Sequence, residues 1–462
     1  MPGVKSNPDR SGLRWILTQS GWAGSFELAG LALRFALALL IARLFGPAGL
    51  GTYTLALAFA NGAALIGVLG MDRASTRFIA HHRARSEYAA VAGLARFATF
   101  VTVVVSAVLT AALLAAAPEI ERAWHQPGLA LPVQVLAMAV PAIALGAAWR
   151  DGLRGFQDVR LASLLEKVGI PGLTAVALLC ALALGLGGAT AAAAGALVAY
   201  MATTVVAGAH LLRRVTGPAS PAPLYHRSTW TRFAVLMSVE GVLLFVLQWT
   251  DQLLVGLFLN AHEVGVYASA LRLAALVAVP LLAVNSIMAP TAASLHGAGE
   301  TERLRVTFAR MTWATAGAGL IIGALLLATG PWLLGLFGPE FVAGYPALVV
   351  LVVGQVVNAA TGSVGVILGM TGHAGRLTLN AGLTAVLVIV LNLLLIPLFG
   401  IVGSALATSV ALVAVNVLRT IQVRRVLGFW AYDPRELAFW LNAARAQSRR
   451  WMLRPPLGQD AQ

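Results

Sequence analysis

The sequence predicts an all-α polytopic membrane protein of twelve transmembrane helices, built as two pseudo-symmetric six-helix lobes. Three observations predict it. Apolar stretches of about 20 residues recur along nearly the whole chain, each long enough to cross a hydrocarbon core of about 30 Å. The basic residues fall almost entirely in alternate connections, and short motifs return at an offset near 214 positions. The composition points the same way: 59% of the 462 residues are hydrophobic and 11% charged, too few charges for the surface of a soluble chain this long.

The expected spans are 22–44, 49–70, 90–117, 129–149, 162–185, 187–212, 231–258, 264–288, 311–336, 344–368, 377–399 and 401–423. Chain-reversing residues separate them, among them Phe45-Gly46-Pro47, Pro118-Glu119, Gly187-Gly188, Asn260, Gly338-Pro339 and the run from Pro397 to Gly403. The domain organisation that follows is an N-terminal segment 1–21, a first lobe 22–212, a linker 213–230, a second lobe 231–428 and a basic tail 429–462. The linker carries Pro218, Pro221 and Pro223. Residues 1–14 are polar, and no cleavable signal peptide is expected.

Placing the N-terminus inside puts Lys5, Arg10, Arg14, the arginines from Arg73 to Arg96, Arg150, Arg154, Arg160 and Lys167 on the inner face. Arg213, Arg214, Arg227, Arg232, Arg303, Arg305, Arg310, Arg376 and the eight arginines from Arg419 to Arg454 follow them. Arg43 and Arg122 alone fall outside. So sustained a bias is a positive-inside signature, which puts both termini in the cytoplasm. The net charge of +14 is therefore a topology signal, and nucleic acid is excluded as a partner. The outside connections are too short for a catalytic domain. Cys180 is the single cysteine, so neither internal disulfides nor thiolate metal sites are expected, and no cofactor is implied. The histidines lack metal-ligand spacing, and His81-His82 reads as a solvated pair.

Gly51-Thr52-Tyr53 opens the second span and Gly265-Val266-Tyr267 the eighth, 214 positions later. Glu27 with Glu240, Arg96 with Arg310, Pro118-Glu119 with Pro339-Glu340, Gly155 with Gly372 and Gly188 with Gly400 follow at nearly the same spacing. Six spans per repeat means that both halves enter the membrane in one direction, related by an axis along the membrane normal, with a site expected at their interface.

Ionisable residues inside spans are the candidate site. Arg34 and Arg272 lie deep in the first and eighth spans, Asp251 in the seventh. A charge at the bilayer centre costs about 2.5–3.5 kcal/mol or more, so such residues face the bundle interior or water. Asp251 and Arg272 lie at matching depth and are expected to pair, either as a structural lock or as part of a cationic cavity for an anionic substrate. Glu27 and Glu240, nearer the inner face, are candidates for coupling a proton or sodium ion, or for passive hydrated positions. Pro141, Pro171 and Pro280 should kink their spans. Gln248, Asn285, Gln355, Asn358 and Asn392 could bind sugar hydroxyls or bridge helices. In the tail, Asp433-Pro434-Arg435-Glu436 reads as a helix start. Leu437, Trp440, Ala444 and Trp451 then oppose Arg445, Arg449 and Arg450, the pattern of an interfacial helix on an anionic leaflet.

The segment from Ala42 to Tyr53 resembles the first hairpin of the polysaccharide transporter family, the Wzx-like oligosaccharide-lipid flippases. Asp251 followed by Glu263 through Leu273 is similar to their seventh and eighth spans, and Asn392 through Ala405 to their last hairpin. The resemblance implies the multidrug/oligosaccharidyl-lipid/polysaccharide exporter fold, two lobes around a central cavity, in a bacterial cytoplasmic (inner) membrane. It implies no enzyme. The implied activity is moving a polyprenyl-diphosphate-linked oligosaccharide from the inner to the outer leaflet. The expected partners are that substrate, membrane lipids, and polysaccharide polymerase or ligase machinery. Arg34, Asp251 and Arg272 map by position onto the family's charged cavity. The alternatives are a drug exporter of the same superfamily or a major-facilitator carrier, whose glycine-aspartate-arginine loop the segment Gly67-Val68-Leu69-Gly70-Met71-Asp72-Arg73 faintly resembles, with an inserted residue and without the following Gly-Arg-Arg. A membrane glycosyltransferase or polymerase is the remaining one.

Overall fold

The computed structural model describes residues 9–215 and 222–430 together with Tyr432, Asp433, Arg435 and Glu436, with side chains from Ser25 onward. Those residues form helices and turns, with no strand among them. In chain order the helices are α1 (Asp9–Val68), α2 (Met71–Ala84), α3 (Tyr88–Ala123), α4 (Ala130–Ala137), α5 (Val140–Gly155), α6 (Val159–Ser163), α7 (Ile170–Ala183) and α8 (Gly188–Val215). They continue as α9 (Arg227–Phe258), α10 (Ala261–Ala274), α11 (Val279–Gly297), α12 (Thr301–Gly335), α13 (Tyr345–Thr361), α14 (Val364–Met370) and α15 (Ala374–Leu427). Nine helical stretches among the described residues are long and apolar enough to cross a membrane, and α4 with α5 forms a tenth, bent by 41°. The protein is an all-helical, multi-pass membrane protein.

Two of the nine stretches are double. α1 breaks at Gly46, which has φ 68° and ψ −172°, and α15 breaks at Gly400, with φ 58° and ψ −137°. Only a residue without a Cβ adopts that conformation cheaply, so a glycine here separates two helical arms within one continuous run. The arms are 9–45 and 47–68, then 374–399 and 401–427.

The three prolines expected to kink their spans each sit at a departure from α geometry, whereas Pro331 lies inside α12 without one. Pro141 begins α5 at the bend after α4. Pro171 follows a π-helical turn, Leu164–Gly169, and Pro280 follows a 3₁₀ turn, Ala275–Ala278. Proline offers no N–H to the carbonyl four residues back and its ring collides with it, so the preceding turn widens, tightens or bends.

The chain divides into two compact units. One comprises Met1–Arg272, Pro331–Ala347 and Val388–Ala405; the other comprises Leu273–Gly330, Leu348–Leu387 and Leu406–Gln462. In the first, Ile79, Leu94, Leu153, Phe156, Leu211 and Trp230 pack into one core, where α2, α3, α5, α8 and α9 meet. In the second, Met288, Phe308, Ile367, Leu368, Val423 and Phe429 do the same. Many apolar side chains elsewhere stay exposed, such as Phe100, Leu184, Val205 and Trp332, as expected for surfaces that face lipid.

Buried amides hold helices together. In the second unit Asn380 and Gln422 exchange reciprocal bonds of 2.8 and 3.0 Å, and Asn416 donates to Asn358 at 2.8 Å. In the first, Ser404 donates to Asn392 at 2.7 Å. For Asn358 and Asn392 the helix-bridging role is thus the one observed. The start of the tail is anchored in the second unit. Asp433 accepts from the Arg435 backbone N–H at 2.9 Å, the cap expected there, and its carboxylate also meets Arg305. Glu436 pairs with Arg310 at 2.7 Å. Most of the expected interfacial helix, from Leu437 through Trp451, lies outside the described residues, as do Pro218 and Pro221 of the linker.

Candidate functional site

The first unit encloses a cavity of about 900 Å³. Its walls come from both arms of α1 and from α2, α5, α7, α8 and the first turns of α9, with Glu166 contributed by the π turn. Five arginines line it (Arg34, Arg73, Arg77, Arg150 and Arg154) against four acids (Asp72, Asp151, Glu166 and Glu240). Tyr53, Asn61, Thr76, Tyr200 and Phe233 supply most of the remaining polar and aromatic surface.

The acids and bases are not evenly matched. Arg154 donates to Asp151 and, at 2.5 Å, to Glu166. Lys167 bridges Glu166 at 3.1 Å and Glu27 at 3.2 Å. This chain of ion pairs links α1, α5 and the π turn and consumes Asp151 and Glu166. Arg77 lies 4.5 Å from the centroid of the Phe233 ring, a cation–π contact across α2 and α9. Arg34, Arg73 and Arg150 form no ion pair with any described residue. Of the acids, Asp72 and Glu240 also form none. Burial raises the Asp72 carboxyl above its ordinary value, opposed by the Arg73 backbone N–H. The cavity therefore presents an excess of uncompensated guanidinium groups.

Of the residues the sequence singled out, Arg34 and Glu240 line this cavity. Glu27 pairs with Lys167 and is nearly half exposed. Asp251 and Arg272 do not form the pair expected from their depths. Asp251 is buried and accepts from the Tyr267 hydroxyl at 2.9 Å and from the Gln252 backbone N–H at 2.7 Å. Matching depth along two helices does not fix which faces meet, and the tyrosine five residues before Arg272 takes the contact. Arg272 keeps a buried Nη1 without a partner, with Tyr53 as its electrostatic neighbour. His82 is also not solvated. It is buried, bonds Glu87 at 2.6 Å and stacks against His226 at 5.8 Å. The bonded His82 ring lowers the Glu87 carboxyl below its ordinary value.

Sequence reasoning assigned Arg150, Arg154 and Lys167 to topology and passed over Asp151, Glu166, Tyr53 and Tyr200. A signal existed in Arg150-Asp151 followed by Arg154: two bases one turn apart on one helix, flanking an acid. Asp72, noted only in a faint loop motif, and Arg73, read there and as a topology signal, are wall residues of the cavity.

At the far end of α9 the helices close tightly. A Cβ added at Gly51 would lie 1.7 Å from the Ala261 carbonyl oxygen, and one at Gly265 would lie 2.0 Å from the Pro47 carbonyl oxygen. Pro47 and Ala261 are themselves 214 positions apart, as Gly51 and Gly265 are. Each copy of the repeated motif thus packs its glycine on the backbone of the other copy, four residues upstream of the matching glycine. Trp124 donates to the Leu253 carbonyl at 3.1 Å, and Gln126 accepts from the Ala261 N–H at 2.7 Å, which adds the turn after α3 to this contact.

A family profile described as polysaccharide biosynthesis protein matches residues 17–296, and one described as MatE matches residues 237–394. Among curated proteins, the chain is similar to the probable low-salt glycan biosynthesis flippase of Haloferax volcanii, 26% identical over 192 residues. It is also similar to the probable flippase AglR of the same organism, 28% identical over 199 residues. Each match covers 41% of this chain and 40% of the relative, less than half the relative's length. Among solved structures, an inward-facing multidrug resistance MATE family transporter of the MOP superfamily superposes with a TM-score of 0.72 at 16% identity, covering 86% of this chain and 94% of that one. The lipid II flippase MurJ, in an inward closed conformation, gives 0.69 at 12% identity, covering 86% and 87%. At these identities the likeness is one of fold.

Proposed function

The chain belongs to the polysaccharide biosynthesis protein family, and on that premise we propose that it is a flippase for a polyprenyl-diphosphate-linked oligosaccharide. The observation that carries this reading is the cavity of about 900 Å³ with Arg34, Arg73 and Arg150 left without ionic partners. That volume is at the upper end for small-molecule sites, and guanidinium is the side chain suited to phosphate oxygens. The similarity to two curated flippases supports the same class of activity.

In this proposal the chain makes twelve spans: the nine long apolar stretches, two of them doubled at Gly46 and Gly400, and the bent pair α4 with α5. Both termini are cytoplasmic in a bacterial inner membrane, and the repeats 22–212 and 231–428 act as the two lobes of an alternating-access transporter. The cavity then faces the cytoplasm through the basic ends of α2, α5 and α9, and the Gly51–Gly265 contact closes the periplasmic side. Substrate enters from the inner leaflet and leaves to the outer one, toward polymerase or ligase machinery. Glu240, on the cavity wall without a cation partner, is the better placed coupling candidate; Glu27 is occupied by Lys167. The chain performs no bond chemistry of its own. An exporter of cationic drugs on the same fold is the alternative, and the arginine-rich lining disfavours it electrostatically.

The test is transfer of a labelled lipid-linked oligosaccharide between leaflets of vesicles containing the purified protein. Arg34 is exposed to the cavity, so Arg34→Ala should leave folded protein and abolish transfer, while Arg34→Lys retains part through charge alone. Transfer at the wild-type rate by Arg34→Ala removes its phosphate role. A wild-type protein that exports cationic drugs and moves no lipid removes the flippase reading.

A further inference from the structure

The most enclosed cation of the cavity is Arg150, a residue that positive-inside reasoning assigns to topology. It is 6% exposed, and its Nε and Nη1 find no hydrogen-bond partner. A guanidinium stays charged when desolvated and carries five donors, so unmet donors in a buried position are a standing cost to the fold. The adjacent acids Glu166 and Asp151 favour its charge through space but give it neither an ion pair nor a hydrogen bond at Nε or Nη1. Asp151 turns its carboxylate to Arg154, and Glu166 is shared by Arg154 and Lys167. Lys167 in turn is shared with Glu27, so each nearby acid is already engaged elsewhere.

The surroundings of the guanidinium are built closely around it. Gly146 lies one turn earlier on α5, where a Cβ would fall 2.6 Å from Arg150 Nη1 and 2.5 Å from Thr204 Oγ1. Thr204 donates to the Ala142 carbonyl at 2.7 Å, which fixes α8 against α5 at this level. Tyr200, one turn away on α8, lines the same cavity and lies within electrostatic reach of Arg150 and Glu166. Arg150 is thus held in a niche between α5 and α8, with an unmet hydrogen-bonding demand and a phenol beside it.

We propose that Arg150 is the principal anion-binding residue of this cavity, taking a phosphate or diphosphate ester in the niche that Gly146, Tyr200 and Thr204 complete. The assignment rests on the cavity being the substrate pathway and names the place within it where the charged group docks. The ion-pair chain from Asp151 to Glu27 then has a purpose. It keeps neighbouring carboxylates turned away from Arg150, so the guanidinium remains available to an anion from outside.

Full-length protein in lipid nanodiscs is titrated calorimetrically with inorganic pyrophosphate and with farnesyl diphosphate. Arg150→Gln should weaken binding about tenfold or more, Arg150→Lys should recover part of it, and Tyr200→Phe should cost less than Arg150→Gln. Arg122→Gln, on an exposed pair outside the cavity, should leave binding unchanged. Thermal unfolding separates binding from scaffolding. A binding role leaves the melting temperature of Arg150→Gln unchanged or raised, because a buried, unsatisfied charge is removed; a structural role lowers it.

Wild-type binding by Arg150→Gln, a lowered melting temperature with parallel loss of binding, or binding of neither probe by wild type overturns the proposal. Farnesyl diphosphate bound in preference to pyrophosphate, and lost in Arg150→Gln, supports the site with a lipid headgroup as its source. Pyrophosphate bound equally well and lost likewise supports it with a free anion as source. The leaflet-transfer assay separates the two levels. An Arg150→Gln protein that flips at the wild-type rate refutes this site and leaves the flippase reading standing. A wild type that binds the anion through Arg150 but moves no lipid refutes the reading and leaves the site.

Discussion

Gly51→Ala is the substitution whose effect the structure specifies most closely. The new methyl would sit 1.7 Å from the Ala261 carbonyl oxygen, 2.7 Å from the Ala261 carbonyl carbon and 2.9 Å from the Gly265 nitrogen. All three are backbone atoms, so no side chain can rotate away. To bring the closest contact to 3.0 Å, below which Cβ contacts are essentially never found, the second arm of α1 and α10 must part by at least about 1.3 Å. Overpacking of this kind costs about 1–3 kcal/mol. If the contact exists only while that end of the protein is closed, a penalty of about 2 kcal/mol shifts the closed-to-open ratio roughly 30-fold toward open. The reporter is Leu55→Cys in a Cys180→Ala background, since Leu55 is buried against Gly256 of α9. Labelling by an impermeant maleimide in intact cells should accelerate by about that factor in Gly51→Ala. Gly265→Ala should act similarly, because its Cβ meets the Pro47 carbonyl at 2.0 Å. The double variant should fall short of additivity, since one separation accommodates both methyls. Unchanged labelling together with an unchanged melting temperature in Gly51→Ala would refute the seal.

Three further outcomes are expected. Single cysteines placed in 119–126 or 260–263 of a cysteine-free background should react with an impermeant thiol reagent in intact cells, and those in 298–306 should not; the reverse pattern overturns the proposed orientation. A double-mutant cycle of Asp251→Asn with Tyr267→Phe should show about 0.5–3 kcal/mol of coupling, whereas Asp251→Asn with Arg272→Gln should be close to additive, read from thermal unfolding. Asp72 is held above its ordinary carboxyl value by burial, so the folded state binds its proton more tightly than the unfolded state does. Its contribution to stability therefore falls as pH rises from the ordinary value to the raised one, and stays lost above it. Asp72→Asn should melt at or above the wild-type temperature at neutral pH and flatten that dependence, and a lower melting temperature there would contradict it.

The sequence alone determined the class of this protein, because hydropathy over a bilayer-length window is a local property that any stretch satisfies or fails by itself. The repeat was legible for the same reason: Gly51 and Gly265 open equivalent helices whether or not they touch. Gly46 and Gly400 and the prolines Pro141, Pro171 and Pro280 marked breaks correctly, since a missing N–H or a positive φ acts on its own turn, while α3 runs on through Pro118 and α12 through Pro331. What only the tertiary structure decided is partnership. Asp251 and Arg272 have matching depths, but depth is one coordinate, and azimuth and neighbours gave Asp251 to Tyr267. Arg150 and Arg154 sit in one connection and look alike as topology signals. Folding paired Arg154 with two carboxylates and left Arg150 buried with an ion pair to neither. Which charge is neutralised depends on residues distant along the chain, here Glu166 meeting Arg154 and Lys167 meeting Glu27 of α1, and such pairings follow from helix packing rather than from any local pattern.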